Sequence, residues 1–261
     1  MFDHPDFDSH EALHCVHDAP SGLRAIIAVH STHRGPAGGG CRLRAYASTR
    51  EALGDALRLS RAMSLKCALA GLPAGGGKTV ILAPEGVKTP ALFEALGRAV
   101  EQLGGRYVAA ADMGVTPEDL LHVARHTAHV VGIPSRSGEV GGDSGPPTAR
   151  GVLAAIVASL PLVFGRAEPA GLTVAIQGVG SVGGRLARLL AARGARLLLA
   201  DAEAGRAQAL AAELGATALP AEAILSAECD ILSPNATGGV LGEASIPAIR
   251  APLIVGAANN Q

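Results

Sequence analysis

Tryptophan is absent from this 261-residue chain, and the other aromatics amount to two tyrosines and four phenylalanines. That leaves no platform on which nucleobases could stack. Charge of one sign is equally scarce: 22 basic against 23 acidic residues give a net charge of −1, so there is no electrostatic footprint for nucleic acid or an anionic membrane. The four cysteines, Cys15, Cys41, Cys67 and Cys229, are far apart and form no CxxC pair, the pattern of a reduced, intracellular protein rather than a disulfide scaffold. The opening Met1-Phe-Asp-His-Pro-Asp lacks the basic and apolar regions of a signal peptide. No uninterrupted apolar run reaches roughly 18 residues, so no membrane span is expected. A cytoplasmic globular protein is the starting expectation.

What the chain does have is apolar mass and glycine. Hydrophobic residues make up 48% and mean hydropathy is +0.30, which excludes disorder, and the length suits two domains. Glycine is abundant, 34 residues, and clustered. Lysine is nearly absent: only Lys66, Lys78 and Lys88 stand beside the arginines. Arginine stays protonated, whereas a partly buried lysine can lose its proton. Two of the three lysines lie inside apolar, glycine-rich sequence, which marks them as candidates for chemistry.

Along the chain, residues 22–30 read as a strand and 41–46 as another, with Gly35-Pro-Ala-Gly-Gly-Gly40 between them as a turn exposing bare backbone. Ser48 and Glu51 form a capping box opening a helix to about Met63. Thr89-Pro90 and Thr116-Pro117 each pair an N-cap with a first-turn proline, and residues 106–111 between them are strand-like. From Gly132 to Gly151 glycine, proline and serine dominate, a plausible domain junction. Beyond it, helices 149–163, 182–193 and 204–214 alternate with strands 172–176, 195–200, 229–232 and 253–255, the pattern of βαβ units on a parallel sheet. The fold expected is α/β: an N-terminal mixed α/β substrate-binding and oligomerisation domain, residues 1–133, and a doubly wound Rossmann domain, residues 134–261.

Gly178-Val-Gly180-Ser181-Val182-Gly183 is a GxGxxG that follows a predicted strand and opens a predicted helix, the context a dinucleotide site requires. The first glycine permits the tight turn, the second lets backbone approach a pyrophosphate, and the third packs helix on strand. Amides at the helix N-terminus favour phosphate. Asp201 ends the next strand about 20 residues on, placed to accept from ribose hydroxyls and to repel a 2′-phosphate. NAD is therefore favoured over NADP, although Arg206 stands nearby.

Gly75-Gly-Gly-Lys78-Thr79 invites a P-loop reading, but the first glycine of that motif would fall on Leu72, and Thr79–Leu82 is strand-like where a helix is needed. Instead, Lys66 after a helix and Lys78 before a strand are expected to face one cleft. Repulsion and desolvation there would lower at least one pKa, suiting one lysine to a small carboxylate and the other to proton transfer. Asp112 at a strand end completes the set. His122 and His126 share a helical face, but without an HExxH pattern or a nearby cysteine they read, with His129, as a solvated face, and no metal site is expected.

The segments Ser21–His30, Gly35–Arg42, Leu59–Lys66, Ala70–Val80, Asp112-Met-Gly, the Gly178 fingerprint and Gly256–Gln261, spread over nearly the whole chain, resemble the glutamate/leucine/phenylalanine/valine dehydrogenase family, and within it the leucine and phenylalanine branch. The resemblance implies NAD-dependent oxidative deamination of an L-amino acid, branched-chain or aromatic, to the 2-oxo acid, and the reverse reductive amination, in a homo-oligomer. By position it makes Lys66 and the Gly39-Gly40 backbone ligands of the substrate carboxylate, Lys78 the base that activates water, and Asp112 the proton shuttle at the amino group. Thr148 and Asn259 would lie at the nicotinamide and Asn260 at the substrate, beside the cofactor-binding Gly178, Gly180, Ser181, Val182, Gly183 and Asp201. Gly38 stands where the family usually has leucine or alanine in the side-chain pocket, and Gly145 where a serine is common. Family members also continue for several dozen residues past the point matching Gln261, which implies either a fragment or a shortened protein lacking the end of the cofactor domain. The competing reading is a binding protein that keeps the NAD cleft without turnover, stabilised by NAD but forming no NADH.

Overall fold

The computed structural model describes residues 2–83, 87–134 and 142–259. The chain divides into two compact units, Met1–Asp143 and Ser144–Gln261, each built around its own sheet.

The first unit carries a five-stranded mixed sheet of β1 (Ala12–Asp18), β2 (Leu23–Ser31), β3 (Ala37–Arg44), β4 (Gly75–Leu82) and β5 (Tyr107–Ala111), in the order β1-β2-β4-β3-β5. β1, β2 and β4 pair antiparallel, while β3 is parallel to both β4 and β5. Both faces are covered. Leu23, Ala25, Ile27 and Val29 of β2 join the core under α2 (Pro90–Glu101) and α3 (Pro117–Ala124). Ile26 and Ala28, pointing the other way, pack with Ala52 and Ala56 of α1 (Thr49–Leu69). This two-sided burial is why β2 reads as a continuous apolar run rather than an alternation. All three helices start where their caps predict: the Ser48, Thr89 and Thr116 side chains accept from the amides of Glu51, Leu92 and Asp119.

The second unit carries a parallel sheet in the order β10-β9-β6-β7-β8, formed by β6 (Thr173–Gln177), β7 (Arg196–Ala200), β8 (Thr217–Ala218), β9 (Ile231–Pro234) and β10 (Leu253–Ile254). This is the doubly wound order, reversing between β6 and β9, and that switch point is where such sheets bind ligands. α4 (Gly145–Phe164), α5 (Gly183–Ala191) and α6 (Ala204–Leu214) contribute to one core with Val174, Ile176, Leu197, Leu199 and Ile231. By length and composition α4, with mean hydropathy 1.6, is apolar enough to cross a membrane. Its Ala149, Val152, Leu153, Ile156 and Leu160 lie in the core of the unit.

Three expectations are corrected. The run 35–40 is not simply a turn: Gly38, Gly39 and Gly40 lie inside β3, between β4 and β5. At two of them neighbouring atoms come too close for a side chain: a Cβ on Gly39 would overlap the Gly77 carbonyl, and one on Gly40 would stand 2.7 Å from Asp112 Cβ. α1 does not stop near Met63 but runs to Leu69, because Cys67 is still buried and the helix has surface to cover. β1 was not foreseen, since its half-buried pattern carries histidines at positions 14 and 17.

Beneath β3, β4 and β5 lies one buried polar brace. The fully buried Tyr107 hydroxyl donates to the Gly39 carbonyl at 2.7 Å and accepts from Thr79 Oγ1 at 2.9 Å. Tyr107→Phe strands both partners, and we expect it to cost about 1–3 kcal/mol, read as a lower denaturant midpoint.

Candidate active site

The first unit assembles its charged centre on the face of the sheet that α1 covers. Side chains alternate along a strand, so Gly38, Gly40 and Arg42 share one face of β3, as Gly76 and Lys78 do on β4. Gly76 lets the α1 backbone at Ser64 come so close that no Cβ fits between them. Lys78 is buried, 5% exposed, and its Nζ donates to Asp112 Oδ2 at 2.6 Å. Asp112 immediately follows β5, whose pairing with β3 brings it over Gly40. The expected meeting of Lys78 and Asp112 is therefore observed.

Arg42 and Asp55 were not singled out from the sequence. Arg42 Nε donates to the same Asp112 Oδ2 at 2.8 Å, and its Nη1 reaches Asp55 Oδ2 on α1 at 3.1 Å. Tyr46 donates its hydroxyl to that Asp55 oxygen at 2.8 Å. The available signals were an arginine ending a glycine-rich run and an aspartate on the alanine-lined face of α1.

Burial and charge set the protonation of the pair. For Lys78 burial is the largest influence and pushes the ammonium below its ordinary value, with the Arg42 charge adding to it and Asp112 opposing. For Asp112 burial acts upward but is outweighed by the Lys78 and Arg42 charges, which hold the carboxyl below the usual range. An amine that sheds its proton readily beside a persistent carboxylate is equipped for proton transfer.

Lys66 lies in the last turn of α1, on the same side of the sheet and two residues past the Ser64 contact with Gly76, with its side chain exposed. Gly38 has open space where a Cβ would project, nothing lying within 4 Å. The three histidines are elsewhere: His122 and His126 each stand 4.0 Å from Glu94 of α2, and His129 lies against Gly105. No group of three potential metal ligands gathers among the described residues.

In the second unit the fingerprint loop leaves β6 at the switch point. Gly178 has φ +84°, a conformation that disfavours any side chain, and a Cβ on Gly183 would overlap the Gly178 carbonyl. Gly180 faces open space. The first turn of α5, which begins one residue after Val182, has no side-chain cap, so its amide end remains suited to an anion. Asp201 ties the loop to β7: its Oδ2 accepts from the Val179 amide at 2.8 Å, and its Oδ1 from Glu203 and, at 3.3 Å, from Arg206. A cavity of about 490 Å³ lies in the groove between α5 and α6, lined by Gly180, Arg185, Arg188, Arg206 and Glu213 but not by Asp201, Gly178 or Gly183; the loop, the uncapped helix start and Asp201 are what bear on a cofactor. These features fit a dinucleotide.

Thr148 sits in the first turn of α4, its hydroxyl donating to the Ser144 carbonyl at 2.7 Å. Asn259 lies against Gly238, and Asn260 is outside the described residues. The segment after β9 was missed: Ala236 packs on Gly178 and Asn235 on Gly183, supporting the loop from the neighbouring strand.

Comparison with known proteins places this geometry in context. The family described as Glu/Leu/Phe/Val dehydrogenase, dimerisation domain, matches residues 10–129. A phenylalanine dehydrogenase of Bacillus thermotolerans is 44% identical over 258 residues, covering 97% of this chain and 67% of the relative. A leucine dehydrogenase of Geobacillus stearothermophilus is 43% identical, with 98% and 69% covered. Among solved structures, the L-tryptophan dehydrogenase from Nostoc punctiforme superposes with a TM-score of 0.70 at 38% identity, covering 97% of this chain and 72% of that one.

Two linkage effects follow from the pair. The stabilisation that Asp112 gains from its cations is full above the ordinary carboxylate range and is lost as pH falls through its lowered value. The cost of burying charged Lys78 is relieved as pH rises through that group's lowered value. Asp112→Asn should therefore cost about 3–5 kcal/mol near neutrality by leaving the ammonium buried without its counter-ion. Thermal unfolding should show a smaller deficit near pH 10, where the amine is discharged.

Proposed function

Because the chain belongs to the Glu/Leu/Phe/Val dehydrogenase family, we propose that it catalyses oxidative deamination of an L-amino acid to the 2-oxo acid and ammonia, and the reverse reductive amination. The observation that carries this reading is the buried 2.6 Å pairing of Lys78 with Asp112. In this reading Lys66 and the Gly39-Gly40 backbone hold the substrate carboxylate. Asp112 receives the substrate amino group and passes its proton. NAD, held by the Gly178–Gly183 loop and Asp201, would supply the hydride acceptor for the α-carbon. Lys78, as the free amine, takes a proton from water, and the resulting hydroxide adds to the iminium carbon. Lys78 then hands its proton to solvent, Asp112 returns a proton to nitrogen, and ammonia departs as the regenerated Lys78 amine takes the hydroxyl proton and the 2-oxo acid forms.

The fingerprint Gly178, Gly180, Ser181, Val182 and Gly183 would hold the pyrophosphate, Asp201 the ribose hydroxyls, and Thr148 and Asn259 the nicotinamide end. Asp201 supports NAD over NADP, since a 2′-phosphate there meets a carboxylate. Gly38 supports a roomy side-chain pocket, and so a branched-chain or aromatic substrate. A homo-oligomer formed through the first unit, in the cytoplasm, completes the reading.

A panel of L-amino acids offered with NAD and with NADP tests it: NADH should form with leucine, valine, phenylalanine or tryptophan. No reduced cofactor with any amino acid, from protein that still gains thermal stability with NAD, would favour the binding-protein alternative. Lys78→Ala should lower kcat by about 10²–10⁴-fold while leaving the NAD-induced stabilisation intact. Gly38→Leu fills the open space, so kcat/KM should fall more for phenylalanine than for valine.

A further inference from the structure

Asp112 is held by two cations, and both use the same oxygen. Lys78 Nζ stands 2.6 Å and Arg42 Nε 2.8 Å from Oδ2, and Oδ1 receives no hydrogen bond from the described residues. Arg42 is anchored from behind, with Nη1 3.1 Å from Asp55 Oδ2, and Asp55 is steadied by the Tyr46 hydroxyl. The result is a row of alternating charge, Asp55, Arg42, Asp112, Lys78, in which two cations face two carboxylates and the guanidinium is only 8% exposed. A surface arginine tying α1 to the sheet would not need to end on the oxygen the lysine already uses.

We propose that Arg42, held by Asp55, is the positioning residue of this site: it pins Asp112 by Oδ2 so that Oδ1 is presented to the substrate nitrogen, and it divides that carboxylate's charge with Lys78. The second clause rests on the dehydrogenase reading only for its kinetic consequence. Sharing the carboxylate weakens the hold of Lys78 on its own proton, because the amine has only part of a counter-ion and a second positive charge beside it. The other groups around Lys78 do not compete. Cys41 of β3 is held neutral, its thiol pushed to about 11 by burial, Tyr107 of β5 is pushed well above its ordinary range by burial, and the β2 residue paired with Lys78 is Ala28. From α1, Asp55 acts through Arg42.

The scarcity of lysine makes the test direct. With only Lys66, Lys78 and Lys88 present, protein grown on ε-¹⁵N-lysine gives three side-chain amine signals to titrate. The Arg42→Gln/Asp55→Asn double variant removes one cation and one carboxylate together, so no buried charge is orphaned. It should bind the Lys78 proton about tenfold more tightly, and the ascending limb of kcat/KM with pH should move to higher pH by the same factor. Arg42→Lys keeps the charge but not the two-pronged reach, so it should lower kcat with little movement of the Lys78 titration. A double variant with near-native unfolding and an unmoved Lys78 signal overturns the proposal, leaving Arg42 as a tie between helix and sheet. If the double variant does not fold, Arg42→Lys with wild-type kcat overturns it instead. Should the wild type reduce no NAD with any amino acid, the dehydrogenase reading fails, and the amine titration still judges Arg42.

Discussion

A lysine ammonium and an aspartate at 2.6 Å, both largely withdrawn from water, set the terms for the rest of the first unit. Each ion loses hydration worth several kcal/mol on burial, and their attraction offsets this only if geometry and further hydrogen bonds are good. The fold meets that condition by continuing the alternation of charge: Arg42 joins Asp112, Asp55 joins Arg42, and Tyr46 closes the row with a neutral donor. Such an arrangement sets two buried cations and two carboxylates in alternation, each beside a partner of opposite charge.

Holding those groups requires backbone where side chains would normally be. Gly40 and Gly76 let Asp112 and α1 at Ser64 approach closely on the face of the charged row, while on the opposite face Gly77 makes room for the Tyr107 ring, whose hydroxyl bonds Thr79 and the Gly39 carbonyl. The second unit applies the same device to a different end. Gly178 and Gly183 bring a loop against a helix start and Gly180 leaves open ground beside it, with Asp201 fastening the loop to the next strand. In both units glycine stands where neighbouring elements come too close for a side chain, as at Gly39, Gly76 and Gly183.

Local rules made much of this legible. Caps at Ser48, Thr89 and Thr116 marked helix starts because a side-chain oxygen answering an amide three residues on is a short-range event. The fingerprint was readable because its strand, turn and helix are contiguous. β3 was misjudged because glycine normally weakens a strand, and only its partners on either side explain why bare backbone is needed there. Arg42 and Asp55 escaped notice because they lie thirteen positions apart on different elements, and neither carries a motif of its own.

The linear order of residues settled which groups are present, where helices begin, and which turn suits a phosphate, since those depend on neighbours within a few positions. Which groups meet is another matter: Lys78 finds Asp112 across 34 residues of chain, and Arg42 finds it across 70. Those encounters depend on the pairing of β3 between β4 and β5. Only the folded sheet decides that Oδ2 serves two cations, because the approach is set by strand register and helix packing, quantities that no local pattern of residues encodes.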